Sequence, residues 1–184
     1  MAPRIAPTSL DGLFVVDLDI RADAERPGGS FREVFHAAQY VEAGIPSFEP
    51  VQWNISESIE GTLRGFHAEP WNKLVHVAAG SVFAAVADIR RDSPTAGVVW
   101  TGELDRGRAL FVVAGLGNAF QALSATAVYA YLVDAHWSAD TTYPAVAWDD
   151  PDLGVAWPIT DKRLSLSAKD RANPTLRAFW DGAP

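Results

Sequence analysis

Short apolar runs separated by turn-forming residues dominate the hydrophobic pattern of this chain. Val, Phe, Tyr, Trp and Thr are frequent in the runs, and several runs alternate apolar and polar positions. Gly, Pro, Asp and Asn interrupt them at intervals of about 8–12 residues, a spacing typical of all-β sandwiches and barrels. The pattern predicts strands over Leu13–Ile20, Val51–Ser58, Thr62–Glu69, Leu74–Val77, Val82–Ile89, Gly97–Leu104, Ala109–Val113, Ala119–Leu123 and Val128–Asp134.

Two segments carry helix signals instead. Arg32–Glu42 follows Ser30, a residue suited to cap a helix N-terminus, and Gly44 provides a stop. A shorter helix is predicted over Ala168–Arg171, with Ser167 as its cap. A few short helices are therefore expected at the periphery of a β-protein.

Composition narrows the class of protein. The 184 residues are 48% hydrophobic and 21% charged, with no repeat or linker, so residues 1–184 are expected to form one domain. The absence of cysteine excludes thiolate nucleophiles, cysteine-bound metals and disulfides, and it fits a cytoplasmic location. A net charge of −8 argues against nucleic-acid binding, and no apolar stretch is long enough for a membrane helix.

Common catalytic motifs are missing from the chain. It has no Gly-x-Ser-x-Gly elbow, no phosphate-binding Gly-Lys-Ser/Thr loop and no dinucleotide fingerprint. His67 and Glu69 would supply at most two metal ligands, so no metal site is predicted. The run Asp149–Asp152 has the wrong spacing for an EF-hand, and a solvated turn is the favoured interpretation.

Histidine is scarce, so each of the four is a candidate for chemistry. His67 closes a predicted strand three residues after Arg64, and the two side chains would face opposite ways unless Gly65 introduces a bulge. His36 and His76 are interpreted as surface or packing residues. His136 follows a predicted strand and could line a cleft or its rim.

Five segments, in order, resemble the dTDP-4-dehydrorhamnose 3,5-epimerase family of RmlC-like cupins. The resemblance runs from about Leu13 to Phe179. The matching segments are Thr62–His67 (TLRGFH), Lys73–Val77 (KLVHV), Val86–Thr95 (VADIRRDSPT), Trp148–Pro158 (WDDPDLGVAWP) and Leu166–Arg171 (LSAKDR). The resemblance implies a cupin-type jelly-roll β-barrel and an epimerase that needs no metal or coenzyme.

The resemblance also implies four catalytic roles. His67 matches the family's base, and a histidine is suited to remove a proton beside a ketone near neutral pH. Asp170 matches the partner of that base, and Lys73 matches the cation that stabilises the enolate oxygen. Tyr131 matches the acid that reprotonates carbon, although Tyr129 points to the same strand face.

Further matches imply a binding site for a nucleotide-diphosphate sugar. Arginine suits a diphosphate because its planar guanidinium offers paired donors, and Arg64 is the best match for that role. Extra residues precede the segment that contains Phe31, so Arg26 or Arg32 can take the arginine position there. The full substrate-binding set is Arg26, Phe31, Glu33, Gln52, Asn54, Arg64, Asn118 and Lys169.

The chain departs from the family pattern on the sugar side of the site. Asn118 replaces a histidine, the stretch between His67 and Lys73 is shorter than usual, and Thr142 replaces a glutamate. The four catalytic matches remain. We therefore expect the proton-transfer chemistry to be kept, while the substrate or the stereochemical outcome has drifted.

The sequence thus favours a cofactor-independent epimerase of a nucleotide-linked 4-keto-6-deoxyhexose, acting at C3, C5 or both in deoxysugar biosynthesis. Two alternatives stay open: a 3,4-ketoisomerase of the same barrel, and a non-catalytic module that binds sugar nucleotides. The resemblance further implies a homodimer in which N-terminal strands join the partner's sheet.

Overall fold

The computed structural model describes residues 3–182, which form twelve strands and three short helices. The all-β class with few short helices is confirmed. The strands are β1 (Arg4–Pro7), β2 (Leu13–Asp17), β3 (Arg21–Ala22), β4 (Ser30–Phe31), β5 (Gln52–Ile59), β6 (Leu63–His67), β7 (Lys73–Ala79), β8 (Val82–Asp88), β9 (Val99–Leu104), β10 (Arg108–Val112), β11 (Leu116–Ala122) and β12 (Thr126–Val133). The helices are α1 (Ala37–Glu42), α2 (Ala168–Arg171) and α3 (Leu176–Trp180).

Two antiparallel sheets hold most of these strands. The larger has six strands in the order β1-β2-β10-β7-β12-β5, and the second has four in the order β6-β11-β8-β9. A small ribbon pairs β3 with β4. From β5 to β8, successive strands alternate between the two larger sheets, so neighbours in sequence face each other across the core.

The main core lies between the two larger sheets. Val75, Val77 and Leu110 of the six-stranded sheet pack with Val86 and Phe120 of the four-stranded sheet, and all five are nearly inaccessible. Their period-2 spacing follows from the pleat, which turns alternate side chains toward the same face. Beyond the apolar packing, the inward positions of the same strands carry polar side chains, and these side chains line a cavity.

Two further clusters cover the outer faces of the sheets. Tyr40 of α1 and Phe48 pack with Phe111 on the outside of the six-stranded sheet. Trp157 and Leu176 of the C-terminal region pack with Phe66 on the outside of the four-stranded sheet. The C-terminal third therefore supplies the layer that buries one sheet and brings α2 to the site.

The turn Asp149–Asp152 is not simply solvated, contrary to the interpretation from its acidic sequence. Asp150 is 2% exposed, and its carboxylate accepts hydrogen bonds from the backbone N–H groups of Asp152, Leu153 and Leu176 at 2.7–3.0 Å. Buried carboxylates need such partners. Asp150 therefore fastens the start of α3 to this irregular segment.

The predicted N-terminal helix is wrong in its first half. Helix α1 begins at Ala37, while Ser30 lies in β4 and pairs with Ala22 instead of capping a helix. The Val34 carbonyl accepts a hydrogen bond from the Tyr40 hydroxyl at 2.7 Å, and Val34 and Phe35 pack on the outer cluster. Tertiary packing thus overrides the local helix signal here.

The other predicted elements agree with the structure apart from their ends. The strand from Leu13 stops at Asp17 instead of Ile20, and Ser167 caps α2 by accepting a hydrogen bond from the Asp170 N–H at 3.0 Å. The sequence did not indicate β1, β3, β4 or α3. Within residues 3–182, no helix is long and apolar enough to cross a membrane.

Candidate active site

A bulge in β6 brings Arg64 and His67 to one side of the sheet. The pairing of β6 with β11 shifts register between Asn118 and Phe120, so the regular alternation is broken there. Gly65 lies at the break with φ +124°, and a Cβ at this position would come within 2.4 Å of the Ala119 Cβ. The sequence left open whether Gly65 introduces a bulge; the structure has one there, and it lets both side chains line a single cavity.

That cavity has a volume of about 700 Å³ and lies among β5, β6, β7, β11, β12 and α2. Its size is in the range of ordinary small-molecule sites. Nine of the twelve predicted site residues line it: Gln52, Asn54, Arg64, His67, Lys73, Asn118, Tyr131, Lys169 and Asp170. The structure therefore brings together residues that are up to 118 positions apart in the chain.

His67 and Asp170 form a hydrogen-bonded pair at the cavity wall. The His67 Nε2 lies 2.6 Å from the Asp170 Oδ1, and the His67 side chain is 35% exposed whereas that of Asp170 is 6% exposed. Burial by itself would raise the pKa of the Asp170 carboxyl, but the hydrogen bond from His67 and the charges of His67 and Lys169 lower the pKa below its usual range. An ionised Asp170 accepts a hydrogen bond from the Nε2–H group of His67, so the neutral ring keeps its Nδ1 lone pair available as a base.

Lys73 is deeply buried in the cavity wall. Strand β7 lies between β10 and β12, where Lys73 pairs with Val112 and Val133, and the residue is 5% exposed. Its ammonium group contacts the Glu69 carboxylate and lies 5.9 Å from the centre of the Tyr131 ring. Burial lowers the pKa of Lys73, while the charge and hydrogen bond of Glu69 oppose that decrease.

Two tyrosines of β12 point into the cavity, and their hydroxyl groups differ. Tyr129 is 2% exposed and exchanges hydrogen bonds with the Asn118 amide at 3.2–3.3 Å. The Tyr131 hydroxyl makes no hydrogen bond to another residue within 3–182. Burial, with a smaller contribution from the negative charge of Glu69, raises the pKa of Tyr131, so the phenol holds its proton at neutral pH.

Exposed cations and half-buried amides complete the cavity rim. Arg64 and Lys169 are both solvent-exposed and line the opening. Gln52 donates to the Asn54 side-chain oxygen at 2.7 Å and accepts from the Trp137 backbone N–H at 3.0 Å, so the inward face of β5 is tied to the chain after β12. The site therefore combines a half-buried His67–Asp170 pair and a buried Lys73 with a positively charged entrance.

The known proteins that are similar to this chain include sugar-nucleotide epimerases. The dTDP-4-dehydrorhamnose 3,5-epimerase family matches residues 7–178. The chain belongs to this family. A dTDP-4-dehydrorhamnose 3,5-epimerase of Methanothermobacter thermautotrophicus is 37% identical over 183 residues, which cover 95% of each chain. A dTDP-4-dehydrorhamnose 3-epimerase of Streptomyces niveus is 33% identical over 91% of this chain and 82% of its own.

The solved structures similar to this epimerase-family chain include one that holds a sugar nucleotide. A Legionella pneumophila 3,5-epimerase, crystallised with dTDP-4-keto-L-rhamnose, superposes with a TM-score of 0.86 at 34% identity. The match covers 95% of this chain and 93% of the Legionella chain. The two structures are therefore similar over nearly their full length, and not only around the cavity.

Three predicted binding residues of the epimerase-family chain lie outside the cavity of the single chain. Arg26 is in the β3–β4 loop, where it pairs with Asp23 at 2.8 Å. Phe31 is 60% exposed in β4, and Glu33 is exposed just after it. The alternative residue, Arg32, donates to the Ala78 carbonyl at 3.1 Å and borders a second hollow, so it does not reach the cavity either.

Several cavity residues were not predicted as functional. Trp71 and Tyr143 line the cavity with their rings 4.9 Å apart, and Trp137 lines it from the segment after β12. Glu69 was considered only as a metal ligand, although its position four residues before Lys73, across a short loop, could have suggested an ion pair. Within residues 3–182, no group of three or more His, Asp and Glu side chains is arranged to hold a metal ion.

Proposed function

We propose that this protein epimerises a dTDP-linked 4-keto-6-deoxyhexose at C3 and C5 by proton transfer, without a metal or coenzyme. The observation that carries the proposal is the His67–Asp170 pair at 2.6 Å, set in the same cavity as Lys73 and Tyr131. A sugar-binding module has no need of a carboxylate-paired base, a buried cation and a protonated phenol around one space. Carbon-acid chemistry needs all three.

Deprotonation is the first step. The C4 ketone acidifies the hydrogens on its two neighbouring carbons, C3 and C5. His67 Nδ1 takes one of these protons, and the C–H bond pair becomes the enolate. Asp170 holds the ring by accepting from Nε2 and stabilises the imidazolium that forms, which is the usual role of a carboxylate behind a catalytic histidine.

Stabilisation and reprotonation complete the exchange. The Lys73 ammonium donates to the enolate oxygen, where the negative charge develops. Tyr131 then gives its phenolic proton to the carbon from the other face, and the configuration inverts. His67 and Tyr131 return to their starting protonation states through solvent, so each inversion introduces one solvent hydrogen at the carbon.

The nucleotide end of the substrate requires fixed positive charge. Arg64 and Lys169 lie at the exposed rim and can contact the diphosphate, while Gln52 and Asn54 offer amide groups on the same side of β5. Arginine and lysine are both suited to diphosphate oxygens, arginine through paired donors. Arg26, Phe31 and Glu33 complete the binding set if a second chain supplies them.

We propose that the single domain of residues 1–184 is a cupin-type jelly-roll barrel and functions as a homodimer. Its alternating strand order in two facing sheets supports the first part. An apolar surface supports the second: Phe31, Trp53 and Ile55 are each more than half exposed on the outward side of β4 and β5. The lack of cysteine and the nucleotide-linked substrate fit a cytoplasmic enzyme.

The experiment is incubation with dTDP-4-keto-6-deoxyglucose in deuterium oxide, followed by proton NMR of the sugar. Deuterium at both C3 and C5 supports the proposal. Migration of the ketone to C3 would instead identify a 3,4-ketoisomerase. Tight binding with no exchange at either carbon would identify a non-catalytic binding module.

A single-carbon epimerase is the second candidate. The Streptomyces niveus relative is named a 3-epimerase, and this chain has Asn118 bonded to Tyr129 where the family resemblance predicts a histidine. An asparagine holds the tyrosine hydroxyl but cannot carry charge or transfer a proton. Deuterium at C3 alone, with C5 unexchanged after long incubation, would favour this candidate over the first.

A further inference from the structure

Glu69 is an ionisable cavity residue that the proposed mechanism does not use. It lies in the five-residue loop Ala68–Asn72 between β6 and β7, and its side chain is 15% exposed. Its carboxylate contacts the ammonium group of Lys73. Within residues 3–182, Lys73 forms its ion pair with Glu69.

The loop that carries Glu69 is fixed from several sides. Asn72 bonds to the Asp134 carboxylate through both its backbone N–H and its side-chain amide, at 2.9 and 2.7 Å, and its side-chain oxygen accepts from the Ala114 N–H at 3.1 Å. The Glu69 carbonyl accepts from the Gly115 N–H at 3.0 Å. These hydrogen bonds fix the backbone that carries Glu69, so the Glu69 carboxylate is already held beside Lys73.

We infer that Glu69 is a positioning residue that fixes the Lys73 ammonium group against the Tyr131 ring, with its remaining donors directed at the substrate oxygen. An ammonium group has three N–H donors, of which Glu69 occupies one. The inference deepens the proposed function and rests on it, because it takes Lys73 as the group that stabilises the enolate.

The charge balance around Lys73 supports this role. A fully desolvated ammonium readily loses its proton, and a neutral amine stabilises an enolate poorly. The other titratable groups that line the cavity are Arg64 and His67 on β6, Tyr129 and Tyr131 on β12, Tyr143 in the following segment, and Lys169 and Asp170 on α2. Among residues 3–182, Glu69 is the group whose charge opposes the lowered pKa of Lys73.

Lysine NMR tests the inference without reference to any substrate. The chain has three lysines, Lys73, Lys162 and Lys169, so lysine labelled with carbon-13 at Cε gives a short, assignable set of signals, with K73R identifying the Lys73 signal. Glu69→Gln keeps the shape of the side chain and removes the charge. We expect the Lys73 midpoint to fall by at least one pH unit in E69Q, while Lys162 and Lys169 stay within about 0.2 unit.

The matched control is Glu103→Gln, which removes one negative charge from an exposed position on β9, in the other sheet. It should leave the Lys73 midpoint unchanged. An unchanged midpoint in folded E69Q, or an equal shift in E103Q, would overturn the inference. If E69Q fails to fold, the wild-type signal decides: Lys73 already neutral at pH 7 would overturn the inference, and Lys73 protonated there supports it.

Catalysis supplies the second readout. E69Q should move the alkaline limb of the kcat–pH profile to lower pH and lower kcat more than it changes KM, whereas a merely structural role would change stability without moving the limb. An NMR shift with no epimerase activity in the wild type would retain the Glu69–Lys73 coupling and refute the proposed function. Wild-type epimerase activity without the NMR shift would refute this inference alone.

Discussion

At the scale of single residues, the proposed chemistry requires the Asp170 carboxylate to orient the His67 ring. Resemblance to a family was enough to name His67 and Asp170 from sequence, although they are 103 positions apart. The contact between Glu69 and Lys73 was not predicted: their four-residue spacing allows an ion pair, but only the fold of the loop between β6 and β7 turns the Glu69 carboxylate toward Lys73. The residue types were enough to predict acid–base chemistry, whereas the fold of the β6–β7 loop determines that the Glu69 and Lys73 charges come into contact.

Asp170→Asn tests the orienting role. The amide keeps the size of the side chain but loses the negative charge that stabilises the imidazolium, so kcat should fall by about 10²-fold, within the usual contribution of a positioned acid–base group. Steady-state epimerisation followed by NMR measures it. Asp92→Asn, on an exposed loop between β8 and β9, should keep wild-type kcat. Equal kcat in D170N and wild type would refute the role.

At the scale of elements, periodicity predicted the central strands well and failed at the edges. β1, β3 and β4 are short and mostly exposed, so they lack the apolar alternation that reveals buried strands. The segment before α1 has good helix signals, yet Val34 and Phe35 are more stable packed on the sheet. Local signals alone could not reveal either outcome.

The β6 bulge gives a prediction about Gly65. Gly65→Ala places a Cβ within 2.4 Å of Ala119 at φ +124°, so it combines a steric clash with backbone strain. Gly44→Ala is the matched control, because it also has positive φ (+83°) but meets nothing within 4 Å. We expect G44A to lose about 1–2 kcal/mol and G65A to lose more in urea unfolding, with impaired epimerisation. Equal losses would contradict this account of the bulge.

The segment Asp88–Thr95, which carries part of the family resemblance, has a structural explanation. The Asp88 carboxylate is fully buried and accepts from the side chains of Arg90 at 2.8 Å, Ser93 at 2.5 Å and Thr95 at 2.6 Å. Burial alone would raise the pKa of Asp88, but these hydrogen bonds outweigh it and lower the pKa to about 2. The motif therefore fixes the turn between β8 and β9.

Acid stability tests this explanation. Because the folded pKa of Asp88 lies below its ordinary value of 3.8, its stabilisation is complete above that value and is lost as the pH falls toward about 2. The unfolding free energy should therefore decrease between pH 4 and pH 2. Asp88→Asn should lose about 3 kcal/mol at pH 7, the order expected for a broken buried ion pair, and should show a weaker acid decrease. An Asp88→Asn variant as stable as Asp92→Asn would contradict it.

At the scale of the molecule, the single chain leaves two features unexplained, and the proposed homodimer would account for both. Arg26, Phe31 and Glu33 lie outside the cavity, and an apolar surface around Trp53 is open to solvent. A monomer rarely exposes several large apolar side chains together without a partner. A dimer that covers Trp53 can also deliver the N-terminal residues to the neighbouring cavity.

Trp53→Glu tests the assembly, since a charge on this surface opposes its burial. We expect the wild-type protein to sediment as a dimer and W53E to sediment as a monomer at micromolar concentration, with weaker substrate binding. Val98→Glu, at a partly exposed apolar position before β9, should remain a dimer. A monomeric wild type, or a W53E dimer as stable as the wild type, would exclude the proposed interface.

The most direct measurement is solvent deuterium uptake into dTDP-4-keto-6-deoxyglucose by the wild type and by His67→Ala, with the surface variant His36→Ala as control. The account predicts rapid uptake beside the ketone for the wild type and H36A, and a rate at least about 10²-fold lower for folded H67A. Uptake by H67A at the wild-type rate would show that His67 does not remove the proton.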